Sequence, residues 1–373
     1  MNKKKIIVIG GLGMLILAIV FGHFAANSSQ GHNLAVQFGI VEETAKPATV
    51  KAVKQLTIDE QVEGVLSKMS DGQKIGQMLM IGIQGQNVDD NLRYSLNKYN
   101  IGGIILFDWN MDTPQQVQKL TADLQKEAKQ AEDLPLFIAV DEEGGQVVRM
   151  LQYLTVAPEA EKLGQSGDEQ AVADYAHKTA AEIKALGINV NFAPDADLGL
   201  SHGRSYSKDP QQAAKFVAAA GAYQADQLLF SLKHFPGIGK SKVDSHLMSS
   251  EIMVTRDKLE KEDITPFRFI INSIDNSDFF IMVSHLKYPA LDAENPTSLS
   301  HAIMQDILRQ QLRFNGLIIT DDMEMGAVAK LYSFDELGVR AAMPERISCW
   351  SAMNTIMKSL LIMACCKHCV TIG

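Results

Sequence analysis

Two stretches of this 373-residue chain gather side chains able to attack an electrophile or carry a proton. In "LIITDDMEM" (317–325), Asp321 closes an apolar run, so a strand there delivers its carboxylate to the strand end. A carboxylate so placed can attack an anomeric carbon or stabilise a cation forming on one. An aspartate after a strand also suits a helix N-cap, and the Asp321–Asp322 pair allows one residue to react while the other caps. In "KHFPGIGKSKVDSH" (233–246), Asp244 and His246 stand two apart. A hydrogen bond between them would fix the imidazole tautomer and raise its basicity, giving a group that passes protons near neutral pH. An isolated Asp-Ser-His is more often a solvated loop, and its spacing from His234 is what favours chemistry. Lys233 and His234 end an apolar run, where each can donate to a hydroxyl or neutralise a carboxylate. Asp141 and Arg149 flank "EEGGQVV", whose glycines permit a tight turn, and Arg204 in "HGRSY" adds another donor or a solvated ion pair.

Metal chemistry is not expected. His234, Asp244, His246 and His285 carry ligand atoms, but the body of the chain has no histidine pair at i, i+4 and no Cys-x-x-Cys. The "CCKHC" near the C-terminus is an isolated cluster. No cofactor is expected either.

These residues fall at the ends of regularly spaced elements. Apolar runs at 76–83, 101–107, 134–140, 187–193, 228–235, 277–286 and 314–322 alternate with amphipathic stretches such as 113–131 and 168–187. The first of those helices starts with Pro114 just inside a threonine cap, and the second stops at Gly187. Continuous rather than alternating apolar runs indicate parallel strands buried on both faces. Seven β-α repeats with room for an eighth predict an α/β fold of the (β/α)8 TIM type, in preference to an open doubly wound sheet. "DEEGG", "PDADL", "KHFPG", "SHLKYP" and "TDDMEMG" follow five consecutive strands, and in a barrel they converge on the face that carries the active site.

The chain ends read differently. Three lysines precede an apolar run from Ile6 to Phe24, so residues 1–27 are expected to be an export signal or N-terminal membrane anchor, with the rest outside the cytoplasm. Residues 28–56 read as a linker and 57–340 as the barrel domain. All four cysteines lie in the last 25 residues, so the body does not rely on disulfides. A net charge of −9 with scattered lysines excludes a nucleic-acid footprint. A monomer with a small or neutral partner is expected, touching a membrane only through the N-terminal segment.

The ordered set "AVDEEGGQVVR", "NVNFAPDADL", "GRSY", "KHFPG…DSH", "MVSHLKYPALD…PTSLS" and "GLIITDDMEMGA" resembles the glycoside hydrolase family 3 β-N-acetylhexosaminidases, the NagZ-like group, over roughly 57–340. The combination of Lys-His-Phe-Pro-Gly with Asp-Ser-His is the specific part. The resemblance implies Asp321 as nucleophile, Asp244 and His246 as an acid/base dyad on a mobile loop, and Asp141, Arg149, Arg204, Lys233 and His234 as residues binding N-acetylglucosamine. It further implies retaining hydrolysis of terminal β-linked N-acetylglucosamine from cell-wall glycans, without a metal. The alternatives are a truncated or inactive relative that binds sugar without turnover, and a β-glucosidase-type hydrolase. Three departures from the family pattern stand out. Gly237-Ile238-Gly239-Lys240 replaces the usual Gly-His-Gly-Asp, which predicts altered anchoring of the loop. Glu142 replaces glutamine and Gln146 replaces arginine, adding negative charge near the pocket. Residues 341–373 shift abruptly in composition and read as aberrant, out-of-frame sequence, which leaves the eighth strand missing or replaced.

Overall fold

The computed structural model describes residues 56–132, 134–200, 202–225, 228–241, 250–333, 336–337 and 340–341. The proposed dyad residues Asp244 and His246, the N-terminal segment and the tail from 342 lie outside the described residues. Six strands come first: β1 (Met80–Gly82), β2 (Gly103–Ile105), β3 (Phe137–Val140), β4 (Val190–Asn191), β5 (Leu229–Phe235) and β6 (Phe279–Val283). A short antiparallel hairpin, β7 (Lys287–Tyr288) and β8 (Asp292–Pro296), precedes β9 (Leu317–Thr320). The sheet order is β1-β2-β3-β4-β5-β6-β9, every neighbouring pair parallel, as the seven apolar runs predict. This is the curled sheet of a (β/α)-barrel. Among the described residues it has seven strands, and no ladder joins β9 back to β1.

Both faces of β3 to β6 are buried, which explains why their sequences are continuously apolar, while the edge strands β1 and β9 are only partly covered among the described residues. Phe137, Ala139, Val190, Phe192, Phe280, Met282 and Leu317 fill the interior, with Phe280 edge-on to Phe137 (5.4 Å) and Phe192 (6.5 Å). Burying a ring of this size contributes about 1.5–3 kcal/mol. The alternate residues Ile104, Leu106, Ile138 and Val140 face outward onto α2 (Pro114–Glu132) and α3 (Glu169–Ala185). Val62 and Leu66 of an earlier helix, α1 (Ile58–Leu66), pack with the interior set. That helix is fixed at its start by a reciprocal pair: Glu60 N–H donates to Thr57 Oγ1 and Thr57 N–H to Glu60 Oε2. The predicted boundaries of α2 and α3 hold for physical reasons. Thr113 Oγ1 accepts from Gln116 N–H ahead of α2, and Gly187 takes a left-handed φ of 82° after α3.

The β7–β8 hairpin was not legible in the sequence. β8 is the polar "DAENP" and shows no period-two alternation, because one hydrogen-bonded neighbour and the Asp292 side chain hold it rather than a buried face.

Candidate active site

Parallel strands bring their C-terminal ends to one side of the sheet, and the polar residues following β3, β4, β5, β6 and β9 meet there. Lys233 is the hub. Its Nζ lies 2.7 Å from Asp141 Oδ1 and 2.7 Å from Glu143 Oε1, and its side chain is almost fully buried. Arg204 approaches Glu143 from the other side with two donors, Nε at 2.8 Å and Nη2 at 2.9 Å. Asp195 Oδ2 is 3.1 Å from the same Nε, but the single N–H of Nε is directed at Glu143, so Asp195 gains charge neutralisation without a hydrogen bond.

Lys233 and Arg204 are thus shared unequally among Asp141, Glu143 and Asp195, and Arg149 adds a more distant cation at Asp141. Burial pushes Glu143 up, yet Lys233 and Arg204 outweigh it and hold Glu143 well below the usual carboxylate range. Burial and the Glu143 charge push Asp195 up, against the pull of Arg204, Lys233 and His234. Lys233 is drawn down by burial, but Asp141, Glu143 and Asp195 together hold it above its ordinary value.

His234 is held in a second unit. Its Nδ1 lies 2.7 Å from Asp197 Oδ2, its backbone N–H donates to the same oxygen at 3.1 Å, and Ile238 N–H donates to Asp197 Oδ1 at 2.7 Å. Burial lowers the His234 pKa, and the Asp197 charge and hydrogen bond more than reverse that. Asp321 follows β9, its backbone N–H donating to Val283 O and its Oδ1 accepting from Asp322 N–H. Burial would raise Asp321, but His234, His285, the Asp322 N–H and Lys233 hold it below the usual carboxylate value, so it is an anion at neutral pH. His285 is fixed at both nitrogens, Nδ1 against Ser298 Oγ (2.7 Å) and Nε2 against Asp322 O (2.8 Å). Neither aspartate caps a helix: Asp322 Oδ1 accepts from Glu324 N–H in a local turn, and the next helix, Gly326–Ala329, starts after Met325 without a side-chain cap.

Asp141, Arg149, Arg204, Lys233, His234 and Asp321 thus lie in one linked cluster. Glu143, Asp195 and Asp197 were not singled out from sequence, although a signal was present. In extended backbone, residues two apart share a face, so Asp141–Glu143 and Asp195–Asp197 form two such pairs at adjacent strand ends. Both pairs lie inside the strand-end motifs, where a single sequence does not distinguish interior-facing acids from capping ones.

Arg149 reaches across to Asp108, Nη1 to Oδ2 at 3.3 Å, and lies 3.9 Å from Asp141 Oδ2. Its backbone N–H donates to Glu142 Oε2 at 2.7 Å. Glu142 is only 4% exposed, and burial, opposed by Arg149, pushes its pKa up to about 8. Of the two replacements expected to add negative charge, Glu142 therefore behaves at neutral pH as a neutral acid standing in for the amide, and Gln146 in place of arginine keeps its share of the change. The unfolded chain ionises Glu142 near 4.5, whereas the folded protein keeps the proton to about 8, so this contribution to stability is complete below pH 4.5 and lost as pH rises to 8. Glu142→Gln keeps an acceptor for Arg149 N–H and removes the ionisation. The variant is expected to unfold at a higher temperature than the parent at pH 9, with the gap closing by pH 5. Thermal midpoints at the two pH values check this, and parallel curves would refute it.

The altered loop sequence has its own anchors. Lys240 Nζ pairs with Glu262 Oε2 at 2.8 Å and with the buried Asp263 carboxylate. Gly239 passes so close to Leu198 O that a Cβ would sit 1.8 Å from it. Lys240 thus fixes the root of the loop. The loop residues 242–249, and with them Asp244 and His246, fall outside the described residues.

Asp195, Asp197 and His234 bring ligand atoms within 4.8 Å of one another. Both Asp197 oxygens and His234 Nδ1 are engaged in hydrogen bonds, and Arg204 and Lys233 already supply positive charge beside Asp195. The donor set fits a hydrogen-bonded carboxylate–imidazole pair better than a resident cation.

A (β/α)-barrel whose strand ends carry ionised and protonated carboxylates, fixed imidazoles and paired cations defines the class of barrel hydrolases acting at an electrophilic carbon. Residues 72–344 match the glycosyl hydrolase family 3 N terminal domain, and the chain belongs to that family. It is 35% identical over 262 residues to Beta-hexosaminidase A of Pseudoalteromonas piscicida, covering 64% of this chain and 43% of that one. It is 34% identical to a Beta-hexosaminidase of Nitrosomonas eutropha, covering 67% of this chain and 73% of the relative. Among solved structures it resembles a glycoside hydrolase family 3 β-N-acetylglucosaminidase from Paenibacillus sp. str. FPU-7, with TM-score 0.71 and 32% identity over 79% of this chain and 59% of that one. It also resembles native NagZ from Neisseria gonorrhoeae, with TM-score 0.66 and 26% identity over 78% of this chain and 94% of that one. The chain spans less than half the length of the Pseudoalteromonas relative.

Proposed function

We propose that the chain is a retaining β-N-acetylhexosaminidase that removes terminal β-linked N-acetylglucosamine from cell-wall glycans outside the cytoplasm. The observation that carries the reading is Asp321 at the end of β9, held as an anion by His234, His285 and Lys233, with Asp141, Arg149 and Arg204 tied into the same charged cluster through Lys233 and Glu143. In the first step an Asp321 oxygen bonds to the anomeric carbon while the bond to the leaving oxygen breaks, and His246 gives that oxygen its proton. In the second, His246 takes a proton from water, whose oxygen attacks the same carbon and releases Asp321. Asp244 would orient the imidazole and stabilise its charged form. The paired cations supply donors to sugar hydroxyls with little reorganisation, because carboxylates already fix them. The relatives' names as hexosaminidases and acetylglucosaminidases support the choice of sugar.

The test is hydrolysis of a chromogenic β-N-acetylglucosaminide by the purified chain. His246→Ala is expected to lower kcat about 10²–10⁴-fold, the range of a general acid/base. Full activity in that variant would remove His246 from the mechanism.

A further inference from the structure

Past Arg149, on the same flank of the mouth, the segment after β2 carries an indole that the proposed chemistry does not use. Trp109 is 54% exposed. One face is covered: its ring stacks on Phe107 with centroids 4.6 Å apart and planes 21° from parallel. Phe107 in turn lies under the Arg149 guanidinium, with Cζ 6.0 Å from the ring centroid. A continuous row therefore runs from Asp141 through Arg149 and Phe107 to Trp109, and Asp108 ties it together through its bond to Arg149.

The indole is also held rigidly. Its Nε1–H donates to Ile83 O at 3.1 Å. The neighbouring Asn110 is fully buried, donating from Nδ2 to Ile83 O (3.0 Å) and Gly85 O (2.7 Å) and accepting from Phe107 N–H at 2.9 Å. With the polar edge satisfied and one face stacked, the other face is presented as a fixed apolar plane. An aromatic face carries partial negative charge, and the C–H groups on one side of a pyranose carry partial positive charge, so the two stack without displacing hydrogen bonds. A rigid ring loses little entropy on doing so.

We propose that the outer face of Trp109 is a stacking platform for a sugar unit of the glycan other than the one cleaved. This rests on the reading of the chain as a glycosidase acting on terminal residues, since only then do further sugars remain outside the pocket. The residues that grip the terminal sugar hold it by charge and hydrogen bonds. Trp109 would add a contact that responds to glycan length.

The experiment compares two substrates whose terminal sugar is the same. One is β-N-acetylglucosaminyl fluoride, which has a single-atom leaving group; the other is a β-linked N-acetylglucosamine tetrasaccharide. Trp109→Ala is expected to raise KM for the tetrasaccharide about five-fold while leaving kcat/KM for the fluoride within about two-fold, and Trp109→Tyr should restore the tetrasaccharide value. Equal losses on both substrates, or no loss on either, would overturn the platform. Binding supplies a measurement independent of turnover. The chain has two tryptophans, Trp109 and Trp350, so tetrasaccharide added to Asp321→Asn should change a fluorescence signal that the additional Trp109→Tyr substitution removes. Binding without hydrolysis in the parent would refute the glycosidase reading and leave the platform standing. An unchanged signal alongside normal hydrolysis would do the reverse.

Discussion

Asp321→Asn is expected to reduce kcat on a chromogenic β-N-acetylglucosaminide by about 10⁴-fold or more, the scale seen when the nucleophile of a concerted catalytic unit is removed. The expectation follows from where the carboxylate sits. Its backbone is fixed by the Asp321 N–H to Val283 O bond at the end of β9, and its Oδ1 accepts from Asp322 N–H. Burial alone would favour the neutral acid, but His234, His285, the Asp322 N–H and Lys233 keep the anion. The anion is thus available at neutral pH as a nucleophile. Asparagine matches the shape and retains an acceptor for Asp322 N–H, so folding should survive; a thermal midpoint near that of the parent would confirm that lost activity reports chemistry. A variant retaining a tenth of the parent kcat would remove Asp321 as nucleophile and leave it as an electrostatic partner of His234.

The sequence made the strands and the mouth legible because parallel strands buried on both faces leave little else to read. A continuous run such as "LPLFIAV" has one plausible environment, and a polar cluster directly after it has one plausible location. Individual side-chain roles were less legible, since they depend on which acids share a cation. Asp141, Glu142 and Glu143 are adjacent in sequence, yet they differ completely in the fold. Asp141 and Glu143 reach Lys233, while Glu142 turns to the Arg149 backbone and keeps its proton. No local pattern encodes that division, because Lys233 and Arg204 arrive from distant parts of the chain. Asp197 was hidden for the same reason: its partners are His234 and Ile238, some forty residues on. The polar β7–β8 hairpin shows the converse, a strand pair formed without the hydrophobic pattern that reveals strands.

Lys233→Met should be the most destabilising single change at the site, by about 3–5 kcal/mol, the cost of leaving a buried charge without its partner. Methionine fills much of the aliphatic volume, so the loss is electrostatic rather than a cavity. Without Lys233, Glu143 keeps only Arg204, and Asp141 keeps only an Arg149 Nη2 at 3.9 Å. The sign with pH distinguishes this from a packing defect. In the parent, Glu143 is held below its ordinary value, so its contribution is present at neutral pH and lost as pH falls through the depressed folded value. In the variant, burial is no longer outweighed to the same extent, so Glu143 is pushed upward and stability is lost as pH rises. The gap in thermal midpoint between parent and variant should therefore be wide at pH 8 and narrow toward pH 5. Glu143→Gln combined with Lys233→Met should cost less than the sum of the two single changes, because the second removes the charge that the first stranded. A gap independent of pH, together with additive single changes, would mean that Lys233 contributes packing alone and that the site does not depend on the paired charges.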